Sequence, residues 1–293
     1  MKKFCFSAIV FVMAVILTAT VSAEGIWRLD GELGPHPPRN LRFMDDLRIS
    51  GSGQPTASSL IILKSFLDKK IAQDGKIYIV DLREESHGFA NGFPVSFYQP
   101  KNLANFFKPR NQIEAIEVEL LTDMLGRNFD FLPLGNEDKK LLKPVNVTVG
   151  NVDTERQKAT ELGLIYLRFP TTDMYFPTPD VVDKFINFVA SVNENDWVHF
   201  HCQAGHGRTS TFMIMYEILK NPEKSLEDIC GDQAAKGGSD LLTRKVDNGD
   251  RDYYVEAHNL RADNLKKFYE YAFKIHHGYI DISWSEYVRQ NKF

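Results

Sequence analysis

Trp197 to His201 reads as a short β-strand that runs without a linker into Cys202-Gln203-Ala204-Gly205-His206-Gly207-Arg208-Thr209-Ser210, after which Thr209 to Leu219 has helical character. A strand that feeds a helix through a glycine-bearing turn belongs to a layered α/β fold. The neighbouring segments agree. Lys76 to Val80 is a β-branched apolar run bounded by Gly75 and Asp81, and Leu164 to Phe169 reads as another strand, stopped by Pro170. Between that strand and Trp197, apolar residues from Val181 to Val192 recur at helical spacing, with Thr178 placed to cap and Pro179 at the first helical position. Arg251 to Ile275 makes a long amphipathic pattern. The strand–helix alternation implies a parallel-rich sheet flanked by helices on both faces. Residues 24–55, rich in Gly, Pro and Arg, read as an extended or looped lead-in, and residues from about 90 to 155 hold enough turn signals for a small β-rich insertion.

The segment 202–210 is suited to binding and attacking a phosphate. Successive backbone N–H groups in such a turn form a nest for an anion, and the helix beginning near Arg208 adds its partial positive charge there. A cysteine at the mouth of a nest is favoured as the thiolate, the nucleophilic form. Gly205 and Gly207 allow close approach of a phosphate to the backbone. Arg208 offers a planar fork to two phosphate oxygens, and Thr209 can donate its hydroxyl to the sulfur. Gln203, Ala204 and His206 complete the lining, and a protonated His206 would add attraction for an anion. The bland alternative is a buried cysteine and a solvent-facing arginine. The whole string, set between strand and helix, favours the phosphate site.

With 35 Lys+Arg against 39 Asp+Glu in 293 residues, the formal net charge is −4. No domain-scale basic field is present to hold nucleic acid, so a polyanion must be bound by a local pocket. Met1-Lys2-Lys3, the apolar run Ala8 to Leu17 and the small residues Val21-Ser22-Ala23 have the order of a cleavable export signal over residues 1–23. The apolar run is shorter than the roughly 20 residues that span a bilayer. The expectation is an exported catalytic unit, 24–293, periplasmic or secreted, with no membrane anchor after cleavage. Loss of the leader removes Cys5 and leaves Cys202 and Cys230. Two cysteines in an exported chain often pair, but pairing here would consume the sulfur of the loop. Both are therefore expected free, with Cys230 a small buried apolar residue. The eight histidines form no H-x-x-x-H spacing and no C-x-x-C occurs, so no metal or other cofactor is expected.

The string His201-Cys202-x-x-Gly205-x-Gly207-Arg208-Thr209 resembles the signature of the protein tyrosine phosphatase superfamily. That resemblance implies attack by Cys202, a phosphocysteine intermediate and an aspartate general acid on a loop ahead of the nucleophile. Phe169 to Pro179 is placed that way, and Asp173, 29 residues before Cys202, is the candidate. Asp180 competes for the role but fits a favourable first-turn acid of the following helix.

Val80-Asp81-Leu82-Arg83-Glu84-Glu85-Ser86-His87-Gly88-Phe89 narrows the family further. It resembles the Asp-Leu-Arg-x-Glu-Ser-His-Gly block of the protein-tyrosine-phosphatase-like phytases, and Asn40-Leu41-Arg42 and Ser50-Gly51-Ser52-Gly53-Gln54 resemble their N-terminal stretches. The resemblance covers most of residues 40–275. It implies a tyrosine-phosphatase core with a small partial β-barrel, and a cysteine-dependent phosphomonoesterase acting on myo-inositol hexakisphosphate and lower inositol polyphosphates. Arg42 would be a substrate-phosphate contact. Asp81 would lie near the site, or else Asp81, Arg83, Glu85 and His87 form a buried polar network bracing the nucleophile loop. Distal phosphates would fall to basic residues among Lys236, Arg244, Lys245 and Arg251, or Lys139, Lys140 and Lys143, any of which could equally be a solvated charge. The family commonly follows its acid with histidine; Met174 stands here, and a thioether cannot pair with phosphate. A phosphatase of phosphotyrosine proteins or phosphoinositides, and a non-catalytic phosphate-binding module, are the competing readings.

Overall fold

The computed structural model describes residues 25–31, 34–72, 74–133, 143–246 and 252–293. The leader, Lys139, Lys140 and Arg251 lie outside them. Trp197–His201 (β11) is buried along its whole length at the centre of a five-stranded sheet. It pairs in parallel with Ile77–Arg83 (β4) on one side and Ile49–Ser52 (β3) on the other. Ile165–Thr171 (β10) runs parallel beyond β4, and Arg42–Met44 (β2) antiparallel beyond β3.

Parallel neighbours need crossovers, and helices supply them on both faces. Along β4, Ile77 and Ile79 face one side and Val80 and Leu82 the other. Ile77 and Ile79, with Trp197, meet Leu60, Leu63 and Leu67 of Ala57–Leu67 (α1) and Ala159 of Glu155–Glu161 (α3). Val80 and Leu82, with Val198 and Phe200, pack on Pro179–Ser191 (α4) and Gly207–Lys220 (α5). Asp252–His276 (α7) and Trp284–Asn291 (α8) close that side through Leu265, Phe268, Trp284 and Tyr287. Among the described residues no helix is long and apolar enough to cross a membrane.

Two expectations need correction. Pro170 does not stop β10; the strand continues to Thr171, with a register shift between Arg168 and Thr171. It is the edge strand of its sheet, where a residue without N–H costs no ladder bond. The lead-in is not merely extended either. It supplies β2, β3 and Ile26–Leu29 (β1). The last of these joins a second, curled sheet of six strands with Phe93–Tyr98 (β6), His87–Ala90 (β5), Asn128–Pro133 (β7), Val145–Thr148 (β8) and Val152–Asp153 (β9). Arg110–Thr122 (α2) lies against β5, with Leu121 in a small core beside Trp27, Val95 and Phe131. Cys230, on Leu226–Ala235 (α6), is buried in the main core, and neither it nor Cys202 is in a disulfide.

Candidate active site

At the carboxyl end of β11 the chain turns through residues 202–206 into α5. Cys202 is buried, and its Sγ accepts the Gly205 N–H at 3.3 Å and the Thr209 hydroxyl at 3.2 Å. Two donors thus converge on one sulfur. The N-cap residue His206 makes no side-chain capping bond to α5, and the positive end of the helix dipole faces the same loop. Gly205 adopts φ +78°, and a Cβ there would lie 2.4 Å from the Gly53 nitrogen. Only glycine fits that conformation and that contact.

Three consecutive carbonyls of the loop are held by side chains at and just before the start of β2. Arg39 donates to the Gln203 oxygen at 3.2 Å, Asn40 to Ala204 at 2.7 Å and Arg42 to Gly205 at 2.7 Å. Because N–H and C=O of a trans peptide point opposite ways, drawing the carbonyls outward turns the intervening amides toward the loop's centre. Arg42 is thus a brace for the loop: it is buried, and its second amino group donates to Ser210 at 3.1 Å. His206 stands exposed on the crest. Its Nε2 accepts from Asn40 at 3.0 Å, and burial, then Arg42 and Arg39, pull its pKa below the ordinary value. These contacts favour the neutral ring, the form that does not add the attraction a protonated His206 would.

Arg208 is buried and forked onto Glu85, with N···O distances of 2.7 and 2.9 Å, and also donates to the Thr171 carbonyl at 3.2 Å. Burial alone would neutralise Glu85, but Arg208 and Arg83 hold it well below the usual carboxylate range. Within the described residues the Arg208 Nε has no acceptor. Asp173 lies 3.3 Å from Arg208 through Oδ1, which also accepts the Met174 N–H at 3.1 Å, while Oδ2 accepts from Asn102 at 2.9 Å. Asp180 is exposed in the first turn of α4, paired with Thr178 and Lys184. Of the two acids, Asp173 is the one beside the loop.

Asp81 does not reach the cleft. It is fully buried and accepts from the Arg83 N–H, the Tyr166 hydroxyl and Arg168. His87 Nε2 lies 3.3 Å from both Asp81 and Glu155, and His201 Nε2 lies 2.9 Å from Glu155. Donor atoms of Asp81, His87 and Glu155 are close enough together to suggest a cation site. The Arg168 guanidinium and Tyr166 hydroxyl already occupy the shared Asp81 oxygen, so the group reads as an ion-pair network under the loop. Burial opposes charge on His87, but Asp81 and Glu117 outweigh it and push its pKa up to about 10. Folding then favours the protonated ring. The stability it contributes is complete below the ordinary value of 6.5 and is lost as pH rises through about 10. Thermal unfolding across that window should give a steadily falling Tm; a level Tm would show that His87 is not charged in the fold.

Sequence reading missed Arg261, on α7. It is buried, and its guanidinium packs so closely on Gly207 that a Cβ there would lie 2.4 Å from Nη1. Its Nε and Nη1 have no acceptor within the described residues, and its nearest hydrogen-bonding contact is His258 at 3.5 Å. Burial pulls its pKa down to about 10, with Asp173 and Cys202 opposing, so it remains a cation at neutral pH. A buried arginine with no carboxylate partner is unusual, but one arginine in an amphipathic helix gives no sequence signal. Lys245 is exposed, its N–H taken by Asn259 two residues before Arg261 on α7, and Arg244 is paired with Asp263. Lys143 and Lys236 are exposed.

The signature of the family described as PTP-like phytase, inositol hexakisphosphate, matches residues 80–220. The PTP-like myo-inositol phosphatase of Mitsuokella multacida, solved with myo-inositol-(1,3,4,5)-tetrakisphosphate, is 31% identical, with a TM-score of 0.84 over 90% of this chain and 49% of that one. A PTP-like phytase from Bdellovibrio bacteriovorus is 31% identical, with a TM-score of 0.75 over 90% of this chain and 95% of that one. Effector protein hopD2 of Pseudomonas syringae pv. tomato is 31% identical over 182 residues, 61% of this chain and 38% of its own. The chain thus spans about half the length of the Mitsuokella protein and less of the effector.

Proposed function

This chain belongs to the PTP-like phytase family, and from that premise we propose that it is a cysteine-dependent phosphomonoesterase of myo-inositol hexakisphosphate and lower inositol polyphosphates. A phosphate seated over the loop amides takes the remaining Arg208 donors, with phosphorus in line with the Cys202 sulfur. Sulfur attacks, the P–O bond to the inositol carbon breaks, and Asp173 gives its proton to the departing alkoxide. Water then attacks the phosphocysteine with Asp173 as base. The thiolate leaves, aided by the Thr209 hydroxyl that already reaches Sγ. The residue 1–23 segment would direct the enzyme out of the cytoplasm.

The observation that supports a polyphosphorylated substrate is Arg261: a buried cation beside the loop, without a carboxylate partner among the described residues, and distinct from the arginine that would grip the reacting phosphate. It suits a second phosphate of the same ligand, as Lys245 nearby would suit a third. The Mitsuokella relative was solved with an inositol tetrakisphosphate, which agrees. Phosphate release from phytate and from a phosphotyrosine peptide, compared at matched low salt, tests the reading. Phytate should be strongly preferred and should lose rate as salt is added. Preference for the peptide would favour a protein phosphatase. Arg261→Ala should raise KM for phytate about 10-fold, the scale of one charge-assisted hydrogen bond, and leave a monophosphate aryl ester nearly unaffected. Equal effects on both would remove Arg261 from distal recognition.

A further inference from the structure

Asp173 is held from outside the sheet that bears the nucleophile. The Asn102 amide nitrogen donates to Asp173 Oδ2 at 2.9 Å, and the Asn102 amide oxygen accepts from Arg28 at 3.0 Å. Arg28 can only donate, so it fixes which end of the Asn102 amide faces the carboxylate. Arg28 is itself held, donating to Ser96 and lying 4.3 Å over the Tyr98 ring. Ser96 donates to Asp30, Asp30 accepts from Arg83, Arg83 donates to Glu85, and Glu85 receives the Arg208 fork. The orientation of Asp173 and that of Arg208 are thus set by the two ends of one buried polar chain.

The backbone at this point is unusual. Lys101 and Asn102 both lie in the left-handed region, at φ +62° and +58°. Asparagine tolerates that conformation better than other residues with side chains, and strain of this kind persists where surrounding structure enforces it. Asn102 is nevertheless buried, with both ends of its amide engaged. Lys101 adds a second tie, its ammonium 4.2 Å from the Tyr253 ring, which in turn meets Tyr175 of the acid loop.

We propose that Asn102 is the positioning residue of the general acid, fixing the rotation of the Asp173 carboxyl so that its proton meets the leaving oxygen. The inference rests on the reading of Asp173 as that acid. It follows that Asn102 matters only where the leaving group needs a proton. Inositol alkoxides do; an activated aryl oxide such as 2,4-dinitrophenolate departs without one.

Two substitutions keep the backbone conformation accessible. Asn102→Gly removes the donor, and Asn102→Asp replaces it with a carboxylate facing Asp173. On phytate, kcat of Asn102→Gly should fall on the order of 10-fold, part of the general-acid contribution, with KM little changed and Asn102→Asp lower still. On 2,4-dinitrophenyl phosphate both should stay near the parent. In an Asp173→Asn background, Asn102→Gly should add no further loss, because the two act as one unit. Equal losses on both substrates, or full additivity in that background, would overturn the proposal by showing a merely structural role. An enzyme that needs Asp173 but ignores Asn102→Gly overturns the proposal alone; indifference to Asp173→Asn overturns the reading beneath it as well.

Discussion

Cys202→Ser should bring phytate turnover down by roughly 10⁴-fold or more while leaving phytate binding measurable by calorimetry. The asymmetry follows from how the loop is built. The groups available to hold phosphate are backbone amides, the end of the α5 dipole and Arg208, whose fork is fixed by Glu85 rather than by the sulfur. The carbonyls of Gln203, Ala204 and Gly205 are anchored by Arg39, Asn40 and Arg42, none of which depends on Cys202. Serine keeps an acceptor for Gly205 and Thr209 but is a far weaker nucleophile without an adjacent base, and among the described residues no base hydrogen-bonds to this position. Substantial turnover by the serine variant would mean that water attacks phosphorus directly and that the cysteine is dispensable.

Asp173→Asn should slow phytate hydrolysis by roughly 10²–10⁴, the usual scale for loss of a general acid. The change is nearly isosteric, and the contacts to Met174, Arg208 and Asn102 identify what else could move. The Met174 N–H can still donate to an amide oxygen, so the loop should keep its course. Arg208 keeps its Glu85 partner, so phosphate binding should persist and the loss should appear in kcat. The deficit should shrink sharply with an activated aryl phosphate, whose leaving group needs no proton. Loss of the same size on both substrates would mean that Asp173 serves binding or loop structure instead.

The parts of the molecule legible in sequence are those where one local pattern determines one local structure. The main run of β4 is apolar on both faces because helices cover both, β11 leads directly into the glycine-bearing loop, and α4 has an apolar stripe and Pro179 at its start. β3 is different. It lies beside β11, yet its sequence is Ile49-Ser50-Gly51-Ser52. Ser50 and Ser52 are there to bond the two nitrogens of buried His199, and a Cβ on Gly51 would sit 2.5 Å from the Met213 sulfur. Tight packing under the nucleophile helix has removed the β-branched residues by which strands are read. Arg42 shows another limit: its block could be matched to a family, but only the fold shows it gripping the Gly205 carbonyl. Arg261 and Asn102 reach the site from segments with no motif of their own, by tertiary contact alone.

The most direct measurement is to stop the enzyme with acid during its first turnover of labelled phytate and map the bound phosphate. A phosphorylated peptide containing Cys202, formed and consumed at rates matching phosphate release and missing from Cys202→Ser, is the expected result. Turnover with no phosphoenzyme, or with label on another residue, would contradict the covalent role assigned to this sulfur.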